Sequence, residues 1–222
     1  MSAVRAIVDL SVALDADTQV YPGDPRVELT PHATVDREGF NLLAVRMGSQ
    51  SGTHCDAPRH FSAVAAAIDE VPLPLCAGPA VVLDVRHRAA REAIVVADLA
   101  PYRAALGPGV IALLHTGWSA RYGSASYFDH PYLGEAACRA LLEHGVRTIG
   151  LDAPSIDETP DEDHPGTGFP CHHLLAGVGG VVVENLTNLR LVDFPRPFVC
   201  VLPLRLTGAD GAPTRAVAID LG

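Results

Sequence analysis

Positive charge is scarce in this sequence. Sixteen Lys and Arg stand against 26 Asp and Glu, a formal net charge of −10, and no basic run occurs anywhere. Nucleic acids and anionic membranes are held by clustered Lys and Arg, so neither is expected as a partner. No apolar stretch approaches the about 20 residues of a membrane span, and the start, Met1 to Arg5, leads into a short apolar piece that Asp9 interrupts. With no signal-peptide core, a cytosolic protein is expected. Cysteines are few and scattered (Cys55, Cys76, Cys138, Cys171 and Cys200), odd in number and without a Cys-x-x-Cys pair. That argues against a disulfide framework or a zinc finger and for reduced, mostly buried thiols. Aromatics make up only 5% of the chain, which leaves Val, Leu and Ala to fill the core of an α/β or α+β protein.

At 222 residues, 48% of them hydrophobic and with no internal repeat, the chain reads as one domain over 1–222. Short apolar runs bounded by Gly or Pro recur at 80–85, 110–114, 148–152, 180–184 and 198–202, and read as buried strands. Helical patterns lie between them at Val96 to Leu106 and at Gly134 to His144, with Gly145 as a stop. The expected architecture is a mixed sheet flanked by helices. The first 60 residues carry strand-like pieces and the turn Tyr21-Pro22-Gly23-Asp24-Pro25. Two long loops without secondary structure are expected. One, Thr116 to Leu133, carries Trp118, Tyr122, Tyr127 and Phe128, which suit either a substrate pocket or a subunit contact. The other, Asp157 to Cys171, contains Asp157, Glu158, Asp161, Glu162 and Asp163 and reads as a solvated acidic loop, a cation-attracting lid being the alternative.

Chemistry concentrates between Gln50 and His60. Even positions 50, 52, 54, 56, 58 and 60 hold Gln, Gly, His, Asp, Pro and His. In an extended segment, His54 and Asp56 project from one face about 6–7 Å apart at the backbone, which suits two ligands on one metal. Gly52 and Pro58 are placed to bend the strand so that Gln50 or His60 can converge on the same point. Imidazole and carboxylate donors with an open position for water make a plausible divalent-metal site, able to generate hydroxide near neutral pH. The plainer alternative is that each His caps a turn or satisfies a core contact. A second cluster, Cys171-His172-His173, precedes Glu184, which closes the apolar run Val181-Val182-Val183. A carboxylate there needs a positive partner, which a metal, a salt bridge or a helix N-terminus could provide. Cys55, on the opposite face by alternation, is a poor thiol nucleophile for this site. Ser51 and Ser155 lack a Gly-x-Ser-x-Gly context, and the run Gly177-Val178-Gly179-Gly180 lacks the Walker lysine and reads as a turn.

The segment Gln50-Ser51-Gly52-Thr53-His54-Cys55-Asp56-Ala57-Pro58-Arg59-His60 resembles the signature His-x-Gly-Thr-His-x-Asp-x-Pro-x-His of the bacterial-type kynurenine formamidase and cyclase family. The resemblance extends through Ile7 to Ser11, Tyr21 to Asp24, Asp152 to Asp157, Glu184 to Leu186 and Leu202 to Arg205. It implies a swivelling β/β/α fold in a homodimer or homotetramer, with one or two divalent metals, zinc or manganese. By position, His54 and Asp56 are implied ligands, Asp56 able to bridge. His172 is implied to hold a second metal, Glu184 to bridge, His60 to act as general acid/base and Tyr21 to line the substrate pocket. The first signature His is Gln50 here. Gln can still ligate through its carbonyl oxygen, which suits manganese or another oxygen-preferring ion better than zinc. The implied activity is hydrolysis of N-formylkynurenine or a related aryl formamide by metal-bound hydroxide. The alternatives are a cyclic amide or lactone of the isatin or dienelactone type on the same site, or a non-catalytic, metal-dependent binder of a small acid.

Overall fold

The computed structural model describes residues 4–222. Met1, Ser2 and Ala3, part of the start read above for a signal peptide, lie outside the described residues. In chain order the strands begin with β1 (Ala6–Asp9), β2 (Glu28–Ala33), β3 (Leu42–Arg46), β4 (His54–Asp56), β5 (Ala77–Asp84) and β6 (Ala93–Ile94). They continue with β7 (Ile111–His115), β8 (Tyr132–Leu133), β9 (Thr148–Leu151), β10 (Val181–Glu184), β11 (Phe198–Cys200), β12 (Gly211–Pro213) and β13 (Val217–Asp220). The helices are α1 (Val35–Glu38), α2 (Val96–Leu99), α3 (Glu135–Glu143) and α4 (Pro170–Gly177).

Nine strands join in one mixed α/β sheet, ordered β1-β13-β11-β5-β7-β9-β10-β4-β12. Its centre, β5, β7, β9 and β10, is parallel, which explains why these strands read as unbroken apolar runs: helices cover one face and more strand the other. Leu83, Ala112, Leu114, Ile149, Leu151 and Val182 face the helices, packing with Ala137, Cys138 and Leu141 of α3 and Cys171 and Leu175 of α4. On the other face Ile111, Leu113, Val181 and Val183 meet Val199, Ala212, Ala216 and Ala218, because the sheet curls over itself. Past β1 the chain reaches across the curl. Ser11 bridges Leu186, Thr187 N–H donates to Leu10 O at 2.9 Å, and Val12 N–H donates at 2.9 Å to Oγ1 of Thr53, the residue immediately before β4.

The strands expected at 80–85, 110–114, 148–152, 180–184 and 198–202 are present within a few residues, and so is α3. The helix expected from Val96 to Leu106 is shorter. It is α-helical only to Leu99 and continues as 3₁₀ turns to Ala105, because Pro101 lacks an N–H and its ring disrupts the α register. The segment Thr116 to Leu133 is not the structureless loop expected. It folds into 3₁₀ turns at Trp118–Arg121 and Ala125–Asp129 and ends in β8, buried Trp118 donating its indole N–H to Tyr127 O at 3.0 Å. Inside this region His130 donates from Nδ1 to Pro131 O and accepts from the Thr159 hydroxyl at Nε2. Burial drives its pKa down to about 4, which keeps the ring neutral.

Candidate active site

β4 is the strand on which the site is assembled. Gly52, at φ 63°, makes the turn that enters it, in a place where a Cβ would come within 2.6 Å of Leu14. The Gly52 carbonyl accepts from His54 Nδ1 at 2.8 Å, which turns Nε2 of that ring inward. Asp56 follows on the same face, as alternation predicts. Cys55 points the other way, its thiol donating to Val201 O at 3.0 Å, and burial pushes that thiol's pKa well up, so it offers no thiolate. Antiparallel pairing with β10 sets Glu184 opposite His54.

The fourth group arrives from α4. Asp157 accepts the N–H groups of Cys171 and His172, both at 3.0 Å, and so caps the helix. The same carboxylate accepts from His172 Nδ1 at 2.7 Å, again leaving Nε2 directed inward. A ring nitrogen tied down by a carbonyl or carboxylate behind it is how a protein fixes the tautomer and aim of a metal-binding histidine.

His54 Nε2 lies 3.3 Å from Asp56 Oδ1 and 3.5 Å from Glu184 Oε2. His172 Nε2 lies 3.5 Å from Asp56 Oδ2 and 3.4 Å from Glu184 Oε1. Each carboxylate thus offers one oxygen to each imidazole. Donors held about 2.0–2.1 Å from a common ion at tetrahedral angles sit about 3.3 Å apart, the spacing seen here. Asp56 is only 3% exposed, yet neither of its oxygens accepts a hydrogen bond, and a buried carboxylate left so is costly. The residues therefore fit a divalent cation. Without one, burial opposes charge on His54, but Asp56 and Glu184 outweigh it and raise the imidazole pKa. Burial likewise opposes the ionised form of Asp56, but the neighbouring histidines win and hold its pKa far below the usual carboxylate range. Burial opposes charge on His172 too, but the Asp157 hydrogen bond, with Asp56 and Glu184, outweighs it and raises that imidazole's pKa as well.

Pro58 opens a 3₁₀ turn that ends at His60 and swings it back toward the centre, its ring centroid 6.0 Å from that of His172. Gln50 converges on the same point from before the Gly52 turn. Its Nε2 is 3.3 Å from His60 Nδ1 and 3.0 Å from Asp210 Oδ2, and its Oε1 is buried with no hydrogen-bond partner. His60 Nδ1 donates to Asp210 Oδ2 at 3.1 Å. Burial lowers the His60 pKa, but the Asp210 hydrogen bond and the Asp56 charge more than offset it, so the net direction is up. His54, His172 and Glu184 lie on the wall of a pocket of about 360 Å³, with His60 and Gln50 beside them. Tyr21, Phe61, Phe128 and Phe169 give it aromatic sides, Tyr21 standing edge-on to Phe128 at 6.1 Å and Phe61 stacked on His172 at 4.3 Å.

The profile of the family described as "Putative cyclase" matches residues 8–158. The chain belongs to that family. Among curated relatives of this cyclase-family chain, the kynurenine formamidase of Salinibacter ruber is 33% identical, over 97% of this chain and 98% of that protein. The kynurenine formamidase of Bacillus mycoides is 31% identical over 95% of each. Among solved structures, isatin hydrolase A from Labrenzia aggregata bound to benzyl benzoate superposes with a TM-score of 0.87 at 25% identity, covering 98% of this chain and 94% of that one. A structure described as a potential metal-dependent hydrolase with cyclase activity matches with a TM-score of 0.77 at 26% identity, covering 97% and 98%.

His54, Asp56, His172 and Glu184 meet here in one ring, with Gln50 and His60 at its side and Tyr21 on the pocket wall, whereas the two neighbours of His172 in the second cluster do not join it: Cys171 turns its thiol to Leu133 O and His173 is exposed. The acidic stretch needs correction. Asp161, Glu162 and Asp163 are exposed as expected, but Asp157 is buried behind His172. Arg91 organises the run from outside, pairing with Asp129, Glu158 and Asp161. Three contributors were absent from the sequence reading of the site. Asp157 stands in the sequence as one more acid in a polar loop, Asp210 lies between Ala209 and Gly211 with no motif around it, and Phe61 is a single aromatic next to the His60 end of the signature. Phe61, directly after His60, is the one whose position gave a local cue.

Proposed function

We propose that this chain, as one domain over 1–222, hydrolyses the amide bond of a small aryl formamide, N-formylkynurenine being the first candidate. The carrying observation is the ring of two imidazoles and two carboxylates, Nε2 atoms inward, three of whose members, His54, His172 and Glu184, line an aromatic-sided pocket. His54, Asp56, His172 and Glu184 would hold one or two divalent ions, with the Gln50 carbonyl oxygen as a further ligand. Zinc suits the imidazoles, and manganese suits the oxygen-rich remainder. A bound ion of this kind supplies Lewis acidity toward a carbonyl and lowers the pKa of water. The chain's own residues do the rest. Tyr21, Phe61, Phe128 and Phe169 take the aryl ring and exclude water from one side of it. His60, with its Nδ1 occupied by Asp210, takes the proton of the attacking water at Nε2 and passes it on to the departing nitrogen as the amide C–N bond breaks. A cyclic amide of the isatin type is the second reading, favoured by the 0.87 superposition on isatin hydrolase A over nearly the whole chain.

Initial rates on N-formylkynurenine and on isatin, with chelator-stripped protein titrated separately with zinc and manganese, test this. Metal-restored turnover of the formamide is expected. Turnover of isatin alone would move the assignment to cyclic amides, and tight metal binding with neither substrate turned over would leave a binding role.

The reading includes a homodimer or homotetramer. β2 and β3 form a two-stranded ribbon apart from the main sheet, with Leu42, Leu43 and Val45 at 50%, 50% and 54% exposure. Such ribbons are marginal alone in water, and a second copy of the chain is the partner proposed to cover this one. Sedimentation at micromolar concentration should give a dimer or tetramer. A monomer throughout would overturn this part.

A further inference from the structure

Asp210 lies outside the Gln50 to His60 motif, yet the structure gives it the most connected position beside the centre. Its backbone is fixed by the sheet. It precedes β12, whose Gly211 pairs with Asp56, and its carbonyl accepts from Ala57 N–H at 2.9 Å. Its side chain collects three groups. Oδ1 accepts from the Ser49 hydroxyl at 2.8 Å, while Oδ2 lies 3.0 Å from Gln50 Nε2 and 3.1 Å from His60 Nδ1. A carboxylate has about four lone-pair sites, so it accepts all three at once.

Donor and acceptor arithmetic then fixes who does what. A His60 Nδ1 that donates to Asp210 has no lone pair left for Gln50, so the 3.3 Å between Gln50 Nε2 and His60 Nδ1 is proximity within a shared acceptor's reach. The Gln50 carboxamide has one workable orientation, nitrogen toward the carboxylate, because turned over it would set oxygen against oxygen. Gly211 lets the amide lie there: a Cβ on that residue would sit 2.7 Å from both Gln50 Nε2 and Oε1. The side chain at position 50, where the family signature has His, is thus committed through its nitrogen to holding Asp210 in place.

We propose that Asp210 is a positioning residue for the hydrolysis, held by Ser49 and Gln50, that keeps His60 in the Nδ1-protonated tautomer with Nε2 as its working nitrogen. The assignment rests on the reading of His60 as the proton-transfer group. It places the function of Gln50 one step behind the imidazole, whatever its oxygen does. The Asp210 side chain is 41% exposed, so water screens its charge and the effect is that of an outer-shell partner, not of a lost catalytic group.

The test is ¹⁵N spectroscopy of histidine-labelled protein, ion-loaded and ion-free, at alkaline pH where the His60 ring is neutral, alongside kinetics of Asp210→Asn. The parent should show His60 protonated at Nδ1. Asp210→Asn, which has one acceptor oxygen where two served three donors, should move His60 toward the Nε2-protonated tautomer. It should also lower kcat about 10–100-fold with KM and bound metal nearly unchanged. A parent already protonated at Nε2 would overturn the proposal, as would an unchanged tautomer or an unchanged kcat in the variant. The parent spectrum needs no substitution and no turnover. It therefore decides the tautomer even if Asp210→Asn fails to fold, and separates failure here from failure of the formamidase reading, which the parent's substrate assays report.

Discussion

Replacing Glu184 by Gln is expected to strip the chain of tightly bound divalent ion and to reduce turnover by about 10³-fold or more. That figure follows from the several kcal/mol a Lewis-acid ion contributes to a charged transition state, at about 1.4 kcal/mol per tenfold in rate. The substitution is close to isosteric. Glu184 Oε1 accepts the Ile156 N–H at 2.8 Å, and the Gln amide oxygen can keep that bond, so the fold should survive. What disappears is one of the two charges that face both His54 and His172. Metal analysis after gel filtration, with thermal unfolding as the control for folding, checks the result. A variant that keeps its ion and its rate would remove Glu184 from the centre. The parent should also bind its ion more tightly as pH rises above neutral. The carboxylates hold protons on the two imidazoles, and an ion must displace them. Because the folded pKa is raised, proton competition fades with increasing pH.

The second large effect belongs to His60→Ala, which should lower kcat by about 10²–10⁴-fold while leaving the bound ion in place, the usual worth of one proton-transfer group. The two halves of that outcome separate roles. His60 stands beside the ring of two imidazoles and two carboxylates, tied to Asp210 and packed edge-on against Phe61 at 4.6 Å, so its removal opens space in the pocket without replacing any member of the ring. Loss of metal together with activity would make His60 a ligand instead. Near-parental kcat with metal retained would move proton transfer to solvent.

Much of this centre is written in local sequence. Alternation alone puts His54 and Asp56 on one face and Cys55 on the other, and the apolar run before Glu184 announces a buried strand ending in a charge that needs a partner. Gly52 and Pro58 mark the bends that bring Gln50 and His60 back. Asp157 and Asp210 are hidden for two different reasons. Asp210 acts on His60, far from it in the chain, and that pairing depends on which strands become neighbours. Register between β4 and β12 decides it, and no periodicity within a segment encodes register between segments. Asp157 belongs to an acidic run whose composition is that of a solvated loop, and only the cap it makes on α4 distinguishes it from the other members. In the fold, Pro101 falls inside the apolar pattern from Val96 to Leu106, which carries helical spacing but not the missing N–H that turns its second half into 3₁₀ geometry.

β4 is three residues long, and both of its neighbours in the sheet are synthesised long after it. The parallel core of β5, β7 and β9 can build up in chain order, whereas the strand bearing His54 and Asp56 must wait for β10 and then β12 to close around it. Contacts so distant in sequence are slow to form and come late. A nascent or truncated chain ending at Cys200 would carry His54, Asp56, His172 and Glu184, yet lack β12, the strand that seats β4 from its far side. An ion at these residues would therefore add its free energy of binding chiefly to the finished fold, where β12 seats the strand that carries two of them.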